Sequence, residues 1–112
     1  VLTGSVDGAI ESEAYKPWYM HRTGHWLGLD VHDVGDYRSG TSDDDWVRLT
    51  PGMALTVEPG LYFRPAAQVP ADLHGLAVRI EDDVFVNAGG GLVYSSAPKT
   101  VAEIEAVMRH ED

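Results

Sequence analysis

Three histidines, two aspartates and three glycines crowd into MHRTGHWLGLDVHDVG, residues 20 to 35, a segment without lysine or cysteine. His21 and His25 stand four apart, the spacing that sets two imidazoles on one face of a helix in zinc proteases. Gly24, Gly28 and Gly35 oppose a helix here, and no glutamate follows His21 to act as a base. The spacing therefore loses its helical mechanism. Each histidine can equally be a hydrogen-bonded residue of a core or loop.

Two glutamates add to the donor set. Glu58 ends the apolar run MALTV and is followed at once by Pro59-Gly60, a place where scaffolds present functional side chains. From position alone, however, a solvated strand end is the stronger expectation for it. Glu81 lies in LAVRIEDDVFV, where alternation puts it on one face with Arg79 and Ala77 while Val78 and Ile80 point the other way. A carboxylate among valines costs several kcal/mol unless it is paired or bound to a cation. An Arg79–Glu81 ion pair would offset one charge, but Asp82 and Asp83 leave acid in excess, which a divalent cation would resolve. Imidazole and carboxylate donors without sulfur suit Mn, Co, Zn or Fe, and such a site can activate water and polarise a carbonyl.

The elements expected to position these residues are mostly strands. Ser5 or Asp7 caps a short helix running to Ala14, ended by Lys16-Pro17. Trp18-Tyr19-Met20 reads as extended, and Leu27, Leu29 and Val31 alternate with Gly28 and Asp30 in a strand-like period. RSGTSDDD, residues 38 to 45, is an acidic loop, and Leu49 to Gly52 is a turn. Strands follow over Met53 to Val57 and, as a pair, over Leu76 to Ile80 and Val84 to Val86, with a loop from Arg64 to His74 between. Thr100 with Glu103 forms a capping box for a closing helix in VAEIEAVMRHED, with Val101, Ile104, Glu105, Val107 and Met108 leaving one apolar stripe. The pattern is α+β.

Composition narrows the setting. The 112 residues suffice for one small domain, and Val1-Leu2-Thr3-Gly4 reads as the continuation of a longer protein. With 18 acidic against 8 basic residues the net charge is -10, which opposes binding to nucleic acid. The absence of cysteine excludes disulfides and thiolate metal sites, and no apolar run approaches the roughly 18 residues of a membrane span. A cytoplasmic protein without membrane or nucleic-acid partners is expected.

MHRTGHWLGLDVHDVG, then PGMALTVEPGLYF, then GLAVRIEDDVFV resemble, in order, the C-terminal half of aminopeptidase P, the Xaa-Pro aminopeptidase of the pita-bread metallopeptidases. GSVDGAIESEAYKPWYM and PKTVAEIEAVM resemble the family's flanking segments. The resemblance implies that residues 1–112 are the C-terminal part of a pita-bread catalytic domain, an α+β fold with a curved, mostly antiparallel sheet and helices. It implies a dinuclear centre, usually of Mn, held by two aspartates, one histidine and two glutamates. The histidine falls on His25 and the glutamates on Glu58 and Glu81. His21 and His32 match residues that line the substrate site and assist the reacting carbonyl, and Arg79 matches a partner of the centre.

By the same resemblance a metal-activated hydroxide attacks the Xaa-Pro amide, with Glu58 handling the proton. Substrates are peptides with proline in the second position. The two aspartates belong to an upstream strand pair. Asp33 and Asp44, and Asp72 and Asp83, are each eleven apart as those ligands are, but their flanks do not match and neither pair is assigned. Arg22 and Thr23 replace the Gly-Leu of the simplest family motif. This chain alone is thus expected to bind metal weakly, to lack full activity, and to associate with the missing N-terminal half or with itself as a homo-oligomer. Two alternatives stand: a prolidase cleaving Xaa-Pro dipeptides, although eukaryotic prolidases insert more between Glu58 and Glu81, and a non-catalytic peptide-binding module of the same fold.

Overall fold

The computed structural model describes residues 2–42, 44–66 and 68–109, so Asp43 of the acidic loop and the last three residues of the closing segment lie outside the described residues. The elements in chain order are helix α1 (Val6–Glu11), a 3-10 turn (Lys16–Trp18), strands β1 (Ala54–Val57) and β2 (Gly60–Tyr62), a second 3-10 turn (Ala71–Leu73), strands β3 (Ala77–Arg79), β4 (Asp82–Asn87) and β5 (Gly90–Val93), and helix α2 (Val101–Met108). They fall into two compact units, one of residues 1–25 and 56–81, the other of residues 26–55 and 82–112. Among the described residues no helix is long and apolar enough to cross a membrane.

In the first unit β2 and β3 pair antiparallel, with Gly60 opposite Arg79 and Tyr62 opposite Ala77. Thr56 N donates to His25 O at 2.9 Å and Glu58 N to Thr23 O at 2.6 Å, so residues 23 to 25 run alongside the end of β1. Ser5 caps α1 by accepting from Gly8 N. The expected strand at Trp18 is instead a 3-10 turn with Pro17 in its first positions, because the proline φ suits a helical turn as well as an extended chain. Among the described residues, Trp18 and Val69 are the buried apolar residues of this unit.

In the second unit β4 pairs antiparallel with β5, and Met53 and Gly52 hydrogen-bond to Val86, giving the strand order β1-β4-β5. The expected pairing of the segments 76 to 80 and 84 to 86 with each other does not occur. β3 takes β2 as its partner, and β4 takes β1 and β5. The alternation over residues 24 to 31 yields a single bridge, Trp26 to Leu55, and then bends, with Leu29 and Val31 exposed. Side-chain and local bonds compete with strand pairing here: the Asp33 carboxylate accepts from Leu29 N at 3.2 Å, and Gly28 N donates to Asp30 O.

Two polar clusters anchor the C-terminal part of this unit. Asp82 accepts from Lys99 Nζ and, at 2.5 Å, from Ser95 Oγ, and the Lys99 ammonium holds its carboxyl below the ordinary range. The capping box is formed: Glu103 N donates to Thr100 Oγ1 while the Glu103 carboxylate accepts from Thr100 N, which lowers the Glu103 pKa. The apolar stripe of α2 is exposed at Val101, Ile104, Val107 and Met108, so the cap carries much of the helix's local stability. Thr100→Ala should cost about 1 kcal/mol locally. Amide exchange over Val101–Met108 should then quicken by about fivefold, and unchanged exchange would show the cap to be idle.

Candidate metal centre

Three segments of the first unit bring donors together. His25 comes from the chain beside β1, Glu58 from the residue following that strand, and Glu81 from just beyond β3. Each offers a ligand atom within 4.8 Å of the others. Ligands at 2.0–2.2 Å from one ion stand up to about 4.4 Å apart, and a pair of ions about 3.5–4 Å apart widens that span, so the separations and the N/O donors fit divalent metal. The fit does not depend on a helix, and none is present at His21 to His25.

Glu58 is not the solvated strand end its position suggests. It is 8% exposed, and both of its oxygens are engaged. Oε1 stands 3.4 Å from His25 Nε2 and accepts from Thr56 Oγ1 at 3.2 Å, while Oε2 pairs with Arg79 Nη1 at 3.2 Å. Pro59 separates Glu58 from β2, which starts at Gly60 and pairs with β3. The register of Gly60 with Arg79 also carries the guanidinium to Glu58 rather than to Glu81. Arg79 Nε donates to Tyr62 Oη at 2.8 Å, which fixes the plane of the guanidinium. Glu81 is exposed rather than embedded among valines, since Val78 and Ile80 beside it are themselves exposed. One arginine against two carboxylates leaves this cluster acidic, as a cation site requires.

His21 lies beside this cluster's scaffold in the same unit. Its ring stacks on Tyr19 at 5.1 Å and meets Tyr62 edge-on at 5.3 Å. Nδ1 is 2.7 Å from Arg22 O, and because a carbonyl only accepts, Nδ1 carries the proton. Nε2 is buried and has no hydrogen-bond partner among the described residues. A Cβ on Gly60 would come within 2.9 Å of that nitrogen and 2.8 Å of Tyr62 Oη, so glycine is what allows both groups to approach the backbone here. His32 belongs to the second unit, on the exposed bend at residues 28 to 32.

Thr56 and Tyr62 are contributors that sequence reasoning missed. Thr56 could have been found from strand alternation, which places it two residues before Glu58 on the same side of β1. Tyr62 depends on the β2–β3 pairing and left no comparable signal.

The sequence profile described as Metallopeptidase family M24 matches residues 2–88. The chain belongs to that family. The Xaa-Pro aminopeptidase of Escherichia coli is 48% identical over 109 residues, covering 96% of this chain and 24% of that protein. The human Xaa-Pro dipeptidase, another relative, is 39% identical over 134 aligned positions, covering 96% of this chain and 27% of that protein. The structure of the aminopeptidase PepP of Pseudomonas aeruginosa superposes with a TM-score of 0.84 at 55% identity, over 96% of this chain and 24% of that one. Family membership and this likeness establish the α+β pita-bread fold. The chain spans about a quarter of the length of the relatives it matches.

Proposed function

We propose that residues 1–112 are the C-terminal part of the pita-bread catalytic domain of an Xaa-Pro aminopeptidase, which removes the first residue from peptides with proline in the second position. The convergence of His25, Glu58 and Glu81 from three separated segments onto ligand atoms within 4.8 Å carries this reading. In it these residues are three of five ligands to two divalent ions, with two aspartates supplied by the upstream half. Mn is the favoured metal, with Co, Zn or Fe as alternatives compatible with donors that include no sulfur. When bound, such ions polarise a carbonyl and make water nucleophilic near neutral pH.

The remaining roles follow from side-chain chemistry. Arg79 holds one oxygen of Glu58, leaving the other turned toward His25 and available to metal or to a proton in transit. His21 is one substrate-side histidine of this reading, with Nε2 the ring nitrogen not turned to the Arg22 carbonyl. His32 is the further substrate-side histidine of this reading. A cytoplasmic setting, suited to a chain without cysteine, and assembly as a homo-oligomer complete it.

Prolidase activity is the second reading, because an Xaa-Pro dipeptidase is among the relatives. Alignment length disfavours it. The human dipeptidase needs 134 positions to match what the E. coli aminopeptidase matches in 109, so it carries insertions that this chain lacks. A non-catalytic module is opposed by retention of His25, Glu58 and Glu81 together. Calorimetric titration of the full-length protein with Mn should show two ions bound, followed by faster cleavage of Xaa-Pro-Xaa tripeptides than of Xaa-Pro dipeptides. No uptake of Mn, Co, Zn or Fe would leave only the binding module, and cleavage confined to dipeptides would make the protein a prolidase.

A further inference from the structure

We infer that Thr56 is a positioning residue that sets the orientation of two metal ligands through one hydroxyl. This inference rests on the metal reading above and adds to it a residue that is not itself a ligand.

Thr56 is the most buried polar residue of the first unit, at 2% exposure, and a buried hydroxyl must find partners for its proton and its lone pairs. The His25 backbone N–H donates to Oγ1 at 3.0 Å, and Oγ1 stands 3.2 Å from Glu58 Oε1. An N–H cannot accept, so the hydroxyl proton is directed to Glu58 and the bond polarity is set from the His25 side. Thr56 N donates in turn to His25 O, so the two residues are joined by backbone and side chain together. Glu58 is thereby clamped at both oxygens, by Thr56 at Oε1 and by Arg79 at Oε2.

The same Oε1 faces His25 Nε2 at 3.4 Å. Oε1 therefore meets both the Thr56 hydroxyl and the His25 ring, so the hydroxyl constrains the carboxylate at the oxygen that faces the imidazole. Without the hydroxyl, Oε1 keeps only its contact with His25 Nε2, and the link from the His25 N–H to the carboxylate is broken. Partners that orient metal ligands in this way are typically worth about 10–100-fold in metal affinity or activity.

The test uses the full-length protein as wild type, Thr56→Val and Thr56→Ser. Valine keeps the branched shape and removes the hydroxyl, whereas serine keeps the hydroxyl and removes the methyl. Calorimetry should show Mn binding weakened by about 10–100-fold in Thr56→Val, with kcat reduced and KM for a tripeptide little changed, while Thr56→Ser retains wild-type Mn affinity. Wild-type affinity in the valine variant would overturn the inference. So would a serine variant that binds Mn about tenfold or more weakly, a result that decides the matter even if the valine chain does not fold. A wild-type protein that takes up none of Mn, Co, Zn or Fe would instead overturn the metal reading itself, and this inference with it.

Discussion

Full-length protein carrying Glu81→Gln is expected to lose about a thousandfold or more in kcat for an Xaa-Pro-Xaa tripeptide while unfolding at the wild-type denaturant concentration. A carboxamide has no negative charge to offer a metal ion, and losing about 4 kcal/mol of transition-state stabilisation at such a centre corresponds to about that factor in rate. Stability should hold because Glu81 is exposed and lies in no strand, and surface substitutions of this kind usually stay within about 0.5 kcal/mol. Glu58 would make a poorer test. It is buried and touches Thr56, His25 and Arg79, so replacing it mixes folding with chemistry. Turnover by Glu81→Gln at the wild-type rate, with wild-type Mn content, would remove Glu81 from the centre.

Gly24→Ala should act through the opposite route, on structure first. A Cβ at Gly24 would stand 2.0 Å from the Thr56 carbonyl oxygen and 3.1 Å from its carbon, contacts that backbone atoms cannot tolerate. Relief requires residues 23 to 25 to move off the end of β1, which breaks the hydrogen bonds joining Thr56 to His25 and Glu58 to Thr23. The expected cost reaches or exceeds the upper end of overpacking, about 3 kcal/mol. Because the same shift withdraws His25 from Glu58, Mn affinity should fall together with the denaturation midpoint. An alanine variant with unchanged midpoint and Mn affinity would show that this close approach is not needed.

These two expectations differ in how far they could be reached without coordinates. Glu81 was identified because GLAVRIEDDVFV resembles a family segment, and the same is true of His25 in its histidine-rich stretch and of Glu58 in TVEPG. Local physics supported the choice of Glu81 for a reason the structure removes: the glutamate is exposed, not caught among buried valines. Gly24 carried only the information that a helix is disfavoured. Its close approach to Thr56 is a contact between residues 32 positions apart in the chain, and no window of local sequence contains it.

Local elements divide along the same line. The capping box at Thr100 and Glu103, the Ser5 cap and the body of β1 were legible, because capping and a short apolar run depend on neighbouring residues alone. β2 and β5 were not anticipated. Each is only three or four residues long and starts with glycine, and each exists because a partner strand supplies its hydrogen bonds. Leu27 to Val31 failed in the other direction. Its period matched a strand, but past Leu27 the chain bends, with Leu29 N given to the Asp33 carboxylate and Gly28 N to Asp30 O.

By itself, then, the sequence determined the donor types, their order along the chain, the absence of sulfur ligands, the acidic balance and the caps, since these are properties of residue identity and short spacing. Tertiary structure decided which donors meet. The β2–β3 register sent Arg79 to Glu58, the backbone bonds along β1 set His25 against the same carboxylate, and the buried Thr56 hydroxyl joined the two. Hydrogen-bond direction and carboxylate orientation are set by atoms that arrive from distant parts of the chain, and those exist only once the strands have paired.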